Sequence, residues 1–98
     1  MKQLRFEWDD QKAAVNRRKH GVSFEDARTA FFDENALLRP DEDHSEEEDR
    51  FVLLGLSARL RTLVVCHCYR QGEEIIRLIS ARKANALERQ QYEDQRMT

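Results

Sequence analysis

The sequence predicts an α+β fold in which an N-terminal strand and a two-helix hairpin pack on an antiparallel sheet, followed by a C-terminal helix. The first segment alternates polar and apolar residues, and three apolar-rich segments in the second half are separated by turn residues. Between them, two helical segments are separated by a glycine that favours a helix end. The expected element order is β-α-α-β-β-β-β-α. The 98 residues allow one domain, 1–98, with one modest core.

The first strand and helix carry clear local signals. The strand is expected over Leu4–Trp8, where polar and apolar residues alternate. Asp9 and Asp10 are expected to open a helix, because carboxylates accept hydrogen bonds from the free amides at a helix start. Cations occupy positions 17–19 in its last turn, and Gly21 can adopt the left-handed backbone conformation that ends a helix.

The second helix is expected to begin after Ser23, whose hydroxyl can accept from the third helical amide. Asp26 is expected to reach back to the start of the helix, as a short form of the capping box. The residues that recur at helical spacing predict an inward stripe made of Phe24, Ala27, Ala30 and Phe31.

Four strands are predicted next. A short edge strand over Ala36–Arg39 is stopped by Pro40. The three that follow are expected to form an antiparallel meander over Arg50–Ser57, Thr62–Tyr69 and Glu74–Ser80.

The C-terminal helix is expected over Ala81–Glu93, with Ser80 as its cap. Its apolar stripe is poor, because only Ala84, Leu87 and Tyr92 contribute to it. A helix this polar is weakly held to its own core, so it is a candidate contact for a partner.

The charge is distributed unevenly along the chain. The net charge is −2, but seven of the 19 acidic residues lie in Asp41–Asp49, and all 17 Lys and Arg residues lie elsewhere. Such asymmetry points to a polyanionic partner of the basic part. The alternative is that the acidic run is only a mobile, solvated loop.

The two cysteines indicate a reducing compartment. Cys66 and Cys68 share one face of a predicted strand, roughly 7 Å apart, which is too far for a disulfide. His67 faces the opposite side and cannot complete a metal site with them. We therefore expect free thiols, no metal and no cofactor. The chain also has no apolar run of about 20 residues and no apolar N-terminal leader, so a cytoplasmic location away from membranes is expected.

Three sequence blocks together closely resemble the BrnT family of bacterial type II toxins. They are Phe6–Asp9, Asn16–Phe24 and Glu74–Ala84, the last continuing through Glu88 and Arg89 to Tyr92. The resemblance runs from about Phe6 to Tyr92. It implies a small RelE-like ribonuclease held inactive by a BrnA-type antitoxin that binds DNA, with two copies of each chain in the complex. It also implies that function lies on the sheet and at the strand-to-helix junction.

The register of the last hairpin determines which side chains meet. If Tyr69 faces Ile75, then His67 faces Arg77 and Val65 faces Ile79. That register gathers His67, Tyr69 and Arg77 on one wall, with Arg82 and Lys83 at its end. The helices would then cover the opposite face, formed by Val64, Cys66, Cys68, Ile76, Leu78 and Ser80. A one-residue slip, with His67 opposite Ile76, is the alternative.

These residue types suit metal-free RNA cleavage, which needs proton transfer and cations at the crowded phosphate. Arg77 and Arg82 are candidate phosphate-binding catalytic residues, and His67 is the candidate general acid or base. The candidate RNA contacts are Lys19, His20, Tyr69 and Lys83. Each has a structural alternative: Arg77 can pair with Glu7 or Glu88, His67 and Tyr69 can be packing residues, Arg82 and Lys83 can be surface cations, and Lys19 and His20 can simply end a helix.

Two functions remain open from the sequence. The first is a metal-independent ribonuclease toxin that inhibits translation and contacts operator DNA only through its antitoxin. The second is a non-enzymatic interaction module or corepressor that acts with a DNA-binding partner. A stand-alone DNA-binding domain is disfavoured, because the second helix presents Arg28 as its only cation.

Overall fold

The computed structural model describes residues 4–41, 49–72 and 74–97. The predicted acidic loop therefore lies largely outside the described residues. The elements are β1 (Arg5–Glu7), α1 (Asp10–His20), α2 (Phe24–Thr29), a 3-10 turn (Ala30–Phe32), β2 (Leu37–Pro40), β3 (Arg50–Leu56), β4 (Thr62–Arg70), β5 (Ile75–Lys83) and α3 (Ala86–Arg96).

The five strands form one sheet in the order β1-β5-β4-β3-β2. Strands β2 to β5 make an antiparallel meander, of which the sequence predicts the last three strands, with β2 as a separate edge strand. Strand β1 adds to the outer side of β5 in parallel, so the first and last strands of the chain are neighbours. The predicted fold class and element order are confirmed.

The predicted helix caps of α1 and α2 are confirmed, with one correction. The Asp9 carboxylate accepts from the amides of Gln11 and Lys12, and Gly21 ends α1 with φ 70°. The Ser23 hydroxyl accepts from the Asp26 amide. The Asp26 carboxylate, however, does not reach back toward Ser23. It accepts from the Ser57 hydroxyl at 3.0 Å and from Arg61 at 2.9 Å, because burial makes that pairing necessary.

The main core lies between the sheet and the α1–α2 hairpin. The helical side supplies Val22, Phe24, Ala27 and Ala30, and the sheet supplies Leu53, Leu63, Val65, Ile76, Leu78 and Ala81. Phe31 packs against this cluster, so the predicted inward stripe of the second helix is confirmed.

Asn16 attaches α1 to the sheet. Its side chain accepts from the Ala81 amide at 3.0 Å and donates to the Ala81 carbonyl at 2.9 Å. It also donates to the Val22 carbonyl at 2.9 Å. One buried side chain therefore satisfies the outward backbone groups of β5 where β1 has ended, and fixes the position of the helix beside that strand.

The predicted register of the last hairpin is wrong. Tyr69 pairs with Ile76, and His67 with Leu78, while Cys68 lies opposite Arg77. A bulge between Cys66 and His67 shifts the remainder of the hairpin, so that Ile79 is the extra residue. The helices consequently cover Val65, His67, Ile76 and Leu78 rather than the face that carries Val64, Cys66 and Cys68.

The predicted start of the last helix is also wrong. Residues 81–83 continue β5, because they pair with the buried start of β4. Helix α3 begins only after Asn85, whose side chain accepts from the Glu88 amide while Glu88 accepts from the Asn85 amide. Pairing with β4 therefore overrides the helical preference of this segment.

Helix α3 lies on the face of the sheet opposite α1 and α2. Its Tyr92 is buried in a second small core with Leu54, Val64 and Ala84. This core is sparse, which agrees with the polar helix that the sequence predicts. No helix in the described part of the chain is both long enough and apolar enough to cross a membrane.

Candidate functional site

A row of arginines occupies the face of the sheet that does not contact α1 and α2. Leu63 and Val65 of β4 face the helices, so alternate residues of that strand point to the other side. The strand pairings place six arginines on this side, which we call the arginine face: Arg5, Arg39, Arg50, Arg70, Arg77 and Arg82.

Arg77 is paired with a carboxylate of the neighbouring strand. Glu7 lies directly opposite it in the β1–β5 pairing, and the Arg77 guanidinium donates to Glu7 Oε2. The same oxygen lies 3.7 Å from Nε of Arg70. A guanidinium in an apolar strand requires such a partner. This ion pair agrees with the structural alternative considered for Arg77.

Arg82 forms a two-pronged ion pair with α3. Its two terminal nitrogens donate to the two carboxylate oxygens of Glu88 at 2.7 and 2.8 Å. The hydrogen bonds from Arg82 hold the pKa of Glu88 below its ordinary value. The same bonds raise the pKa of Arg82. Glu88 is therefore ionised at neutral pH and remains beside a permanent cation.

A cleft of about 530 Å³ opens where α3, β2 and β4 meet on the arginine face. Cations and carboxylates both line it, together with an apolar floor: Arg39, Pro40, Asp41, Val52, Val64, Arg82 and Glu88. Arg39 is exposed and, within the described part of the chain, donates a long hydrogen bond of 3.3 Å to Gln91. Two guanidiniums around an apolar floor suit a phosphate group that is attached to a less polar body.

Cys66 lies on the same face but does not supply a nucleophile. Its thiol donates to Asp41 at 3.6 Å. Burial, with the nearby Asp41 charge, raises the pKa of Cys66 to about 11, so the thiol stays protonated at neutral pH. Among the described residues, no three His, Cys, Asp or Glu side chains are grouped so that they could hold a metal ion.

His67 and Tyr69 lie on the helix-covered face, away from Arg77 and Arg82. The His67 side chain is fully buried, and its ring contacts those of Phe31, Phe51 and Tyr69. Burial lowers the pKa of His67. His67 and Arg77 do not share one face of the sheet as predicted, because the bulge places these side chains on opposite faces. A catalytic role for His67 stays a prediction that its position does not support.

The remaining candidates are also separated from the arginine face. Lys83 is exposed and pairs with Leu63, on the helix side of the sheet. Lys19 and His20 lie at the end of α1 and line a cleft of about 370 Å³ beside Ile79 and Ser80. Of the seven predicted site residues, the structure therefore places only Arg77 and Arg82 on the arginine face.

Sequence reasoning missed Arg39 and Glu88. Arg39 belongs to the predicted edge strand, but its pairing with Val52 determines which face it occupies. Glu88 has a local signal, since it lies three residues after Asn85 as in a capping box. Its contact with Arg82 depends on residues 81–83 forming the end of β5, whereas the sequence predicts them as the start of the last helix.

Comparison with known proteins identifies the group to which this arrangement belongs. Residues 8–88 match the family described as "Ribonuclease toxin, BrnT, of type II toxin-antitoxin system". The chain is similar to the 1.1 Å crystal structure of the Brucella abortus ribonuclease toxin BrnT, with a TM-score of 0.64 and 26% identity. The match covers 85% of this chain and 99% of the other. No curated protein matches. The chain belongs to the BrnT family of ribonuclease toxins of type II toxin–antitoxin systems.

Proposed function

We propose that this chain is an active endoribonuclease that cleaves RNA in the arginine-face cleft without a metal ion, and so inhibits translation in the cytoplasm. Its family supplies the ribonuclease class. The observation that carries the location is the 530 Å³ cleft, in which the guanidiniums of Arg39 and Arg82 flank an apolar floor beside the Glu88 carboxylate.

The arginines supply the positive charge that the reaction needs. Attack of the 2′-hydroxyl oxygen on the adjacent phosphorus forms a 2′,3′-cyclic phosphate and breaks the bond to the 5′-oxygen, which leaves with a proton taken from water. The transition state crowds negative charge on the phosphorus oxygens, and fixed guanidiniums stabilise that charge. Arg82 is held in place by Glu88, and Arg39 is exposed at the other side of the cleft. The planar guanidinium of arginine matches the geometry of a phosphate group. Arg77, tied to Glu7 on the same face, extends the positive surface along the bound strand.

Glu88 is our candidate for the proton acceptor. The hydrogen bonds from Arg82 lower its pKa, so the carboxylate is ionised at neutral pH. It can accept the 2′-hydroxyl proton when one of its oxygens exchanges a hydrogen bond from Arg82 for one from the hydroxyl. Its side chain lines the same cleft as Arg82. This assigns the base to the arginine face rather than to the buried His67.

Membership of a type II system implies an antitoxin partner. We propose that this partner is of the BrnA type, forms a complex with two copies of each chain, and makes the contact with operator DNA. The sparse packing under α3 and the open arginine face support a partner on this side of the sheet.

The test compares purified wild-type protein with Arg39→Ala and Arg59→Ala on labelled RNA in the presence of EDTA. Arg59 is an exposed control in the β3–β4 turn. We expect wild-type and Arg59→Ala to cleave equally and Arg39→Ala to cleave more slowly by roughly tenfold or more. Intact RNA with the wild-type protein, together with tighter binding of the antitoxin to operator DNA, would instead support the corepressor.

A further inference from the structure

A second cleft lies between α1 and β5, at the margin of the sheet. One face of α1 carries Lys12, Val15, Asn16, Lys19 and His20, at the spacing that places residues on the same side of a helix. These side chains line a space of about 370 Å³ against Ile79 and Ser80.

The floor of this cleft is apolar and open. Val15 is 49% exposed, although its neighbour Asn16 is buried. Ile79 is half-buried and is the extra residue at the bulge of β5. Bulges commonly redirect a side chain near a functional site. Together, Val15 and Ile79 offer the kind of surface on which the flat face of a nucleobase packs.

The rim at the end of α1 is cationic. Lys19 is exposed and His20 is half-buried. Cations are favoured at any helix C-terminus, but this explains Arg17 and Arg18 equally well. Those two arginines line a different cleft, on the other side of the same helical turn, with Ser23 and Glu25. The Lys19 cleft is lined by Ile79 and Ser80 of β5, whereas the residues of the Arg18 cleft come from α1 and the start of α2. Of these two clefts, the Lys19 cleft is therefore the one that adjoins the sheet.

Ser80 lines the α1–β5 cleft at the margin of the arginine face. Ser80 pairs with Cys66 and Arg82 with Val64, so both belong to the arginine face. They are two residues apart on one strand, or roughly 7 Å. Strand β1 ends at Glu7, opposite Arg77, so the later part of β5 forms the margin of the sheet beside α1. A strand of RNA that leaves Arg82 across this margin enters the α1–β5 cleft.

We propose that the α1–β5 cleft holds one nucleotide of the RNA substrate next to the segment bound on the arginine face. The base packs on Val15 and Ile79, and the phosphate contacts Lys19 and His20. A volume of 370 Å³ is near the lower end of ligand sites, about 300–1,000 Å³, which fits a single nucleotide. This inference rests on the proposed function, because it extends the same RNA-binding track.

The experiment measures binding of single-stranded 2′-O-methyl RNA, which lacks the nucleophile for cleavage, in a series of increasing length. Three proteins are compared: wild type, Lys19→Ala/His20→Ala, and Arg17→Ala/Arg18→Ala. Both double variants replace two residues of the same last turn of α1. Arg17→Ala/Arg18→Ala removes at least as much positive charge as Lys19→Ala/His20→Ala, so it is a strict control for general electrostatics and for lost helix-end stabilisation. Circular dichroism checks that both remain folded.

We expect Lys19→Ala/His20→Ala to bind the longer oligonucleotides about tenfold more weakly. The slope of log affinity against log salt concentration should become shallower by ~0.7, which corresponds to the loss of one phosphate contact. The shortest oligonucleotides should bind it as they bind the wild type, and Arg17→Ala/Arg18→Ala should match the wild type throughout.

Two results would contradict the cleft proposal without affecting the proposed function. The first is an equal loss of RNA affinity in both double variants, which indicates general electrostatics. The second is no loss of RNA affinity in either double variant while Arg82→Gln still binds RNA more weakly. Failure of the wild-type protein to bind any of the oligonucleotides would instead overturn the proposed function and, with it, this inference.

Discussion

The hydroxyl of Tyr92 donates a 2.6 Å hydrogen bond to Oδ2 of Asp33. The same oxygen accepts the Leu56 amide at 2.8 Å, and the other carboxylate oxygen accepts the Asn35 amide at 2.9 Å. Tyr92 is only 2% exposed. One carboxylate thus connects α3 to the end of β3 and to the turn before β2. Because the apolar stripe of α3 is poor, this bond is a principal attachment of α3 to the sheet.

Tyr92→Phe is expected to destabilise the protein by about 1.5–3 kcal/mol, because it removes a hydrogen bond to a charged group but keeps the ring. Urea unfolding followed by circular dichroism measures the change. Gln90→Ala, on the exposed side of the same helix, is the control and should stay within about 0.5 kcal/mol of wild type. Equal stability of Tyr92→Phe and wild type would show that α3 is held by other contacts.

The same pair predicts a loss of stability at alkaline pH. Burial, with the hydrogen bond to Asp33, raises the pKa of Tyr92 to about 12 from an ordinary value of 10.0. Because the folded state holds the phenol proton more tightly than the unfolded state, this group stabilises the fold fully below its unfolded-state pKa. That contribution is lost as the pH rises from about 10 to about 12. The unfolding free energy of wild type should therefore fall more steeply than that of Tyr92→Phe over this range. Parallel curves would contradict the assignment.

His67 predicts a second pH dependence, at the acidic side. Burial lowers its pKa below the ordinary value of 6.5, so the unfolded chain binds the proton more readily than the folded chain. The stability from the neutral buried ring is present above pH 6.5 and is lost as the pH falls below it. A His67→Gln variant should lose this part of the slope, which unfolding at several pH values can detect. An unchanged slope would mean that the histidine titrates normally.

The local parts of the fold were predictable from the sequence, whereas contacts between distant segments were not. Asp9, Gly21 and Ser23 act on amides within a few residues, so their roles as helix ends follow from sequence alone. The bulge beside His67 depends on how β4 and β5 pack. A one-residue change there moves each following side chain to the other face.

The candidate site was accordingly predicted only in part. Arg77 and Arg82 do lie on one face, but the bulge assigns His67 to the other. The sequence does not predict the pairing of Arg82 with Glu88, because it predicts residues 81–83 as the start of a helix. Burial of Ala81 beneath α1, where Asn16 bonds its backbone, explains why they are a strand instead.

Asn16→Ala is expected to destabilise the protein by roughly 3 kcal/mol or more, because it leaves the buried Ala81 amide and two carbonyls unsatisfied, at about 1–3 kcal/mol for each group. Amide hydrogen exchange provides a local readout, since the Ala81 amide should exchange much faster in the variant. Gln11→Ala, on the exposed part of the same helix, is the control. Retained protection of the Ala81 amide would show that other contacts hold β5.

Glu88→Gln separates proton transfer from structure. Glutamine can keep the capping bond to the Asn85 amide and one bond to Arg82, so the fold should be little affected. Loss of a general base typically reduces the rate by about 10²–10⁴. Single-turnover cleavage at saturating protein gives the chemical rate without the binding step. Unchanged cleavage by Glu88→Gln would exclude Glu88 as the proton acceptor.

The most direct test of the arginine-face cleft is the single-turnover RNA cleavage rate of Arg82→Gln compared with Arg28→Gln. Arg28 is exposed on α2, which packs on the opposite side of the sheet. The account predicts that Arg82→Gln cleaves about 10²–10³-fold more slowly and that Arg28→Gln equals the wild type. Full cleavage by folded Arg82→Gln would contradict it.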